Sequence, residues 1–383
     1  MGTIGDLCEQ DRRTVSPDDP AAARLRFVGV EHVEADTGEI SDGNGSRTGE
    51  GKSVNFSFTA EHVLYSKLRP YLNKVATPDF EGKCSTELIP LRPRPGVDRR
   101  FLAYALRRKA VADAITTASI GARMPRADLS ILMRQPIPLP PIEEQRRIAA
   151  ALDRAARLVK LHKQAAAKTR DLIPALFIDM FGDPATNPRG WPVKRLKELA
   201  PFVTSGSRGW GRYYAESGAR FVRVQNLVGH RLDLSDIAFV KPPTGRETER
   251  ARVFSGDVLV AITGAPGQSG FARDNIGEAY VNQHVAIIRP AHEIVLTEYL
   301  WAFIANENGG QRQLGLSSYG QTRPGLGLND LRRLAVSVPP LRDQDRFMAK
   351  VRQLMLMETV DLQRVDAAVA LQASILGEVF GDA

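Results

Sequence analysis

Three stretches of this chain gather side-chain types whose chemistry suits contact with nucleic acid. Lys67, Arg69, Tyr71 and Lys74 form the first. The second carries Arg123 and Arg126, and its positional counterpart in the other half of the chain carries Tyr319, Gln321, Thr322 and Arg323. The third and richest holds Ser205, Ser207, Arg208, Trp210, Arg212, Tyr213 and Tyr214 among three glycines. Guanidinium and ammonium groups meet phosphate oxygens, while Arg, Gln, Ser and Thr also read base edges in a groove. Each stretch has a structural alternative. Core residues at alternate positions account for the first, turns supporting a sheet for the second, and aromatics anchoring a surface loop for the third.

Patterns for catalysis are missing. An amino-methyltransferase needs Asn or Asp before a Pro-Pro pair, and both Asp183-Pro184-Ala185 and Asn187-Pro188-Arg189 fail at the second proline. Asp79 and Glu81-Gly82-Lys83 have the letters of a metal-dependent nuclease, but too few residues separate them for strand-turn-strand geometry. The glycine-rich run Gly264–Gly270 lacks the Gly-Lys-Ser/Thr ending of a phosphate loop, and no Rossmann fingerprint is present. Six histidines stand singly, without an HExxH pair, so no metal site and no intrinsic enzymatic activity are expected.

The elements that must position these residues follow from composition and repetition. With 383 residues, 43% hydrophobic and 25% charged, the chain suits two or three folded domains. A net charge of +8 favours a polyanionic partner. Cys8 and Cys84 lie far apart with no CxxC spacing, which fits a reducing cytoplasm and gives neither a disulfide framework nor a thiolate zinc site. No targeting signal and no membrane span is read.

The chain repeats itself. Pro140-Pro141-Ile142-Glu143-Glu144-Gln145 returns as Pro339-Pro340-Leu341-Arg342-Asp343-Gln344, 199 positions on, and the same offset relates Phe181-Gly182-Asp183 to Phe380-Gly381-Asp382. Between these marks, apolar residues recur every three or four positions. Ile148, Leu152, Ala155, Val159, Ala166, Ile173 and Leu176 make one seam. Met348, Val351, Met355, Leu362, Val365, Val369, Leu376 and Val379 make the other, with Glu358 among its interruptions. Each pattern predicts a long helix, opened by Pro-Pro and acidic residues, closed by glycine, and in the first case kinked or interrupted at Pro174. A helix of this length spans about 55 Å, more than one duplex turn of roughly 34 Å. The expected fold is mixed α/β (α+β): two globular domains joined by two long antiparallel helices with a pseudo-twofold repeat. The expected segments are 1–140, a helical spacer at 141–183, 184–338, and a second spacer at 339–383.

This arrangement resembles the specificity subunits of Type I restriction-modification systems. The Pro-Pro motif and its copy carry the likeness, with Val63–Lys74, Gly256-Asp257-Val258-Leu259, Ile262-Thr263-Gly264 and Gly190-Trp191-Pro192, over nearly the whole chain. The resemblance implies two target-recognition domains, each reading one half of a bipartite, asymmetric site on double-stranded DNA. It further implies helices that dock methyltransferase and restriction subunits, with Ile142, Glu144, Gln145, Leu341, Asp343 and Gln344 as candidate partner contacts. S-adenosylmethionine, ATP and Mg are then expected in those partners and no cofactor in this chain. Arg342-Asp343 in place of Glu143-Glu144 puts identical partner contacts in doubt. The alternatives are a helical adaptor without DNA specificity and a specificity subunit of a related restriction system.

Overall fold

The structure, a computed structural model, describes residues 1–20, 22–41, 53–119, 123–318 and 325–381. It divides into two compact units, Met1–His162 with Gln363–Ala383, and Lys163–Leu362. Four helices organise them: α1 (Arg99–Leu106), α2 (Ile142–Phe181), α3 (Thr297–Ala305) and α4 (Leu341–Phe380). The long helices α2 and α4 are each divided between the units, α2 after His162 and α4 after Leu362.

In the first unit a four-stranded antiparallel sheet runs in the order Cys8–Gln10, Leu88–Pro93, Val63–Ser66, Val75–Ala76. All four residues of Val63–Ser66 are buried, because alternate side chains feed two different cores. Val63, Tyr65, Ile89 and Leu91 face α1 and the long helices, whereas Leu64 and Leu88 face a second sheet with Val28, Phe58 and Cys84. That second sheet has the order Thr14–Val15, Asn55–Phe58, Gly82–Cys84, Arg26–Val28. A short pairing of Gly2–Thr3 with Pro136–Ile137 closes the domain where α2 begins.

The second unit repeats this plan. Phe202–Ser205, Val285–Arg289, Val258–Ala261 and Ser269–Phe271 form its central sheet in the same order and sense. Val258, Val260, Ala286 and Ile288 face the helices, while Leu259, Ala261, Val285 and Ile287 face the other sheet. Val193–Arg195 pairs with Ala335–Ser337 at its closing point. The halves diverge at the edge of the second sheet, where Arg252–Val253, Ala279–Val281 and Ala219–Val222 are extended by Ala238–Val240 and Tyr214–Ala215.

Both long helices are 40 residues, about 60 Å at 1.5 Å per residue. Within each unit the opening turns of one pack with the closing turns of the other, so they run antiparallel there. Ile148 and Leu152 share a core with Leu376, Val379 and Phe380. Ile173, Phe177 and Phe181 share one with Phe347, Val351 and Met355. Gly182 (φ 81°) and Gly381 (φ 70°) end them in the left-handed conformation that glycine takes without steric cost.

Three expectations about these helices change. Pro174 does not interrupt α2. It sits on the exposed face, where water can take up the carbonyl that its missing N–H leaves unbonded. Leu362 and Val369 lie outside the seam, at 43% and 48% exposure, and Ala368 packs in its place. Aromatic residues outside the predicted seams, Phe177, Phe181 and Phe347, form a ring cluster, with Phe177 stacked on Tyr299 at 5.4 Å.

Candidate nucleic-acid interface

Two of the sequence stretches come together in the first unit. The end of strand Val63–Ser66 lies beside the segment returning to α2. Leu68 bridges Arg126, the Arg69 N–H donates to the Pro125 carbonyl at 2.8 Å, and the Ala127 N–H donates to the Lys67 carbonyl at 2.7 Å. A turn at 85–87 completes the junction, with the Lys67 N–H on the Glu87 carbonyl at 2.9 Å. The Glu87 carboxylate accepts from Arg126 at 3.1 Å and lies 3.9 Å from Lys67. These hydrogen bonds hold the Arg126 guanidinium above its ordinary pKa.

Side-chain commitments separate these six residues. Lys74 donates to the Val30 carbonyl at 2.9 Å, so its ammonium ties down the neighbouring loop. Arg69, Tyr71 and Arg123 are exposed and make no side-chain hydrogen bond or ion pair among the described residues. Arg69 is held at φ 50°, a strained conformation for a side chain with a Cβ, by the hydrogen bond to Pro125. Such strain persists where surroundings over-determine the backbone, and it concentrates at functional sites.

The second unit builds the same junction from different side chains. Thr263 bridges Gly325, the Leu326 N–H donates to the Ile262 carbonyl, and the Ile262 N–H donates to the His284 carbonyl. Here His284 stands where Glu87 stands, bonded through Nδ1 to the Thr263 hydroxyl and through Nε2 to Gln283. Sequence reasoning missed Thr263, Gln283 and His284 as candidates. The available signal was the polar run Asn282-Gln283-His284 between two apolar strands. Tyr319, Gln321, Thr322 and Arg323 lie outside the described residues, as do Ile120, Gly121 and Ala122.

The loop after Phe202–Ser205 departs from expectation at Trp210, which is 5% exposed. Its ring stacks on Phe221 at 5.1 Å and lies against Tyr280 and Tyr213, so it anchors the loop instead of facing a groove. Gly206 allows the close approach this needs, since a Cβ there would meet the Val281 carbonyl. Around the anchor, Arg208, Arg212 and Tyr214 remain exposed, with Arg212 over the half-buried Tyr213 ring at 4.9 Å. Ser205 is half-buried at the strand end, and Ser207 accepts a long hydrogen bond from Arg250 at 3.5 Å. The corresponding link in the first unit is short, Asp11-Arg12-Arg13, and its two exposed arginines were also missed.

A polar knot lies at the other end of each central strand from the junction. His62, wholly buried, donates through Nε2 to Asp11 at 3.2 Å, and Arg92 reaches the same carboxylate at 3.3 Å. Burial pushes the Asp11 carboxyl up, but hydrogen bonds from Arg13 and His62 outweigh it and hold its pKa at about 2. In the second unit Asp257 takes the place of His62 and accepts two hydrogen bonds from Arg289, at 2.7 and 2.8 Å.

The candidate partner contacts split. Gln145 and Gln344 are 1% and 0% exposed, so neither amide is open to another chain. Each joins its long helix to its domain by three hydrogen bonds. Gln145 Oε1 accepts from Asp98 N–H at 2.9 Å, and Nε2 donates to the carbonyls of Pro140 and Gly96. Gln344 Oε1 accepts from Leu296 N–H at 2.8 Å, and Nε2 donates to the carbonyls of Pro339 and Ile294. Every hydrogen-bonding direction of the amide but one is thereby used, which accounts for its place in the repeated motif. Ile142, Glu144, Leu341 and Asp343 are half-exposed. Glu144 pairs with Arg147 at 2.7 Å, and its carboxyl is held below the usual range by that hydrogen bond.

Among the described residues no group of three His, Cys, Asp or Glu side chains is placed to hold a metal ion. No helix among them is long and apolar enough to cross a membrane.

Comparison with known proteins returns the same architecture. The family model for the Type I restriction modification DNA specificity domain matches residues 1–168 and 188–362. The EcoDI specificity subunit of a Type I restriction enzyme from Escherichia coli is 27% identical over 154 residues, covering 39% of this chain and 34% of that subunit. The MjaIX specificity subunit from Methanocaldococcus jannaschii is 25% identical over 289 residues, covering 68% and 63%. The chain thus aligns with a third of the first relative's length and somewhat less than two thirds of the second's. The Type I restriction-modification S subunit from M. genitalium superposes with a TM-score of 0.63 at 14% identity, covering 100% of this chain and 96% of that one.

Proposed function

Because this chain belongs to the family of Type I restriction modification DNA specificity domains, we propose that it selects the DNA sequence on which partner subunits act. Each domain reads one half of a bipartite site on double-stranded DNA. The observation that carries this reading is the strand-end junction: one backbone framework occurs in both units, presenting Lys67, Glu87 and Arg126 in one and Thr263, Gln283 and His284 in the other. A shared scaffold with different polar side chains suits two unlike half-sites and an asymmetric whole. The family match covers both domains and not the helices alone, which favours DNA selection over a helical adaptor.

Exposed arginines contribute phosphate contacts that orient each domain, and junction side chains meet base edges. In the first domain Arg69, Tyr71 and Arg123 extend outward from Lys67 and Arg126. In the second, Arg208, Arg212 and Tyr214 do so around the Trp210 anchor. Exposed residues of the long helices dock the methyltransferase, and in the full complex the restriction subunits. The length of the helices sets the number of unread base pairs between half-sites. Methyl transfer and ATP-driven cleavage belong to those partners, which bind S-adenosylmethionine, ATP and Mg, and this chain contributes no catalytic group.

The test is co-expression with a cognate methyltransferase subunit, followed by single-molecule mapping of adenine methylation on plasmid DNA. One bipartite, asymmetric motif that disappears when this chain is omitted supports the proposal. A folded complex that methylates no motif contradicts it.

A further inference from the structure

Among the described residues, three polar links between each domain and its long helix occupy corresponding places in the two units. The glutamine clasp is the same in both units, whereas two ion pairs are reversed. At the first pair, Arg100 on α1 meets Asp153 on α2 at 2.9 Å, while Glu298 on α3 meets Arg352 on α4 at 2.9 Å. Asp153 and Arg352 are 199 positions apart, so they occupy one site in the repeat. The domain supplies the base in the first unit and the acid in the second.

The second pair lies at a hairpin that both domains share. A 3-10 turn opens it in each, with the Gly29 N–H on His32 Nδ1 at 3.0 Å and the Arg223 N–H on the Asn226 side chain at 2.9 Å. The hairpin then pairs Val33 with Ile40, or Leu227 with Leu232. Just before the returning residue stands Glu39 in one and Arg231 in the other. Glu39 meets Lys160 of α2 at 2.7 Å, and Arg231 meets Glu358 of α4 at 2.8 Å. Polarity is again inverted, in the opposite sense to the first pair.

Attraction alone does not require this, since either polarity makes the same bond. The consequence appears in exchange. The clasp would accept either domain, yet either domain on the other helix meets like charge at both ion-pair sites. We infer that the four ion pairs form an address that ties each domain to its own position in the chain. The partner excluded is a domain of the same fold carrying the other polarity, whether introduced by recombination within the repeat or presented by a second copy. This rests on the fold alone and not on the proposed DNA reading. The barrier is unequal. Glu298 and Arg231 are mostly buried, while Arg100 and Glu39 are about half-exposed, and like charges repel more strongly where water is excluded.

The test is a full-length chimera in which residues 193–337 also replace residues 2–137, so that the copied Glu298 faces Asp153 and the copied Arg231 faces Lys160. A second chimera adds Asp153→Arg, Val159→Glu and Lys160→Thr, restoring the polarity found in α4. The address predicts that the second unfolds at a temperature higher by about 4 °C or more and resists trypsin better. Equal midpoints and equal proteolysis overturn it. If neither chimera folds, Arg100→Glu, Asp153→Arg and the double variant of the natural chain decide the matter. Each single change should lower the midpoint and the double should lose less than their sum, the hydrogen bond from Tyr104 to Asp153 being lost in both Asp153 variants, whereas additive losses overturn the inference.

Discussion

The glutamine clasp and the strand-end junction belong to the same repeat but have diverged to opposite degrees. At the clasp both residue and partners persist: an amide bonded to the proline carbonyl five positions back and to the turn before a domain helix. At the junction only the backbone bonds persist, and Glu87 between two cations gives way to His284 on a threonine. A side chain that must satisfy buried main-chain groups has little freedom, because an orphaned donor or acceptor costs the full desolvation penalty. A side chain that points away from a framework held by its own backbone can change without unfolding it. Structure is concentrated in one region, and the proposed function places selectivity in the other.

The largest effect should come from an anchor mistaken for a contact. Trp210→Ala removes a ring stacked within the second unit's core and should destabilise that unit by about 3–5 kcal/mol, measured by chemical denaturation. A stable variant with weakened DNA binding would return Trp210 to the interface. Next, Gln145→Ala and Gln344→Ala should each cost about 2–4 kcal/mol, since each strands a buried N–H and two carbonyls. The two losses should match closely, and a cost at only one would break the equivalence of the clasps.

Smaller effects should fall on the junction. Arg69→Ala and Arg123→Ala in the assembled complex should weaken DNA binding evenly across sequences, and each should reduce the salt slope by about 1 if it meets a phosphate. Folding midpoints should stay unchanged, because neither side chain has a partner among the described residues. His284→Ala should alter base preference in one half-site alone, as seen by methylation mapping. The smallest is a pH effect. The Asp11 carboxyl has its pKa lowered from 3.8 to about 2, so its stabilisation is complete above the unfolded value and is lost as pH falls through about 2. Asp11→Asn should remove that acid-limb dependence.

Much of the framework was legible from local chemistry. Pro-Pro with following acids marks where α2 and α4 start, and Phe-Gly marks where they stop, because proline and glycine act through the backbone of their own residues. Pro174 misled because whether proline breaks a helix depends on which face it occupies, a tertiary fact. Spacing of three and four picks out an aliphatic stripe, and Phe177, Phe181 and Phe347 fall outside it. Glu358 looked like an interruption, but it is a buried acid joined to both Arg170 and Arg231. At the candidate site, residue types were readable and their roles were not. Lys67 and Arg126 look alike in sequence to Arg69 and Arg123, yet the first two meet Glu87 and the last two point outward. Arg12 and Arg13 escaped notice because their equivalence to the Trp210 loop exists only through the order of strands.

The proposed reading assigns a separate half-site to each of two domains built on one framework. Its most direct test is to replace residues 190–338 by the corresponding domain of a relative whose recognition motif differs, and to map methylation with the same methyltransferase. A motif changed in one half, with the other half and the spacing intact, is the predicted result. A change in both halves would contradict it.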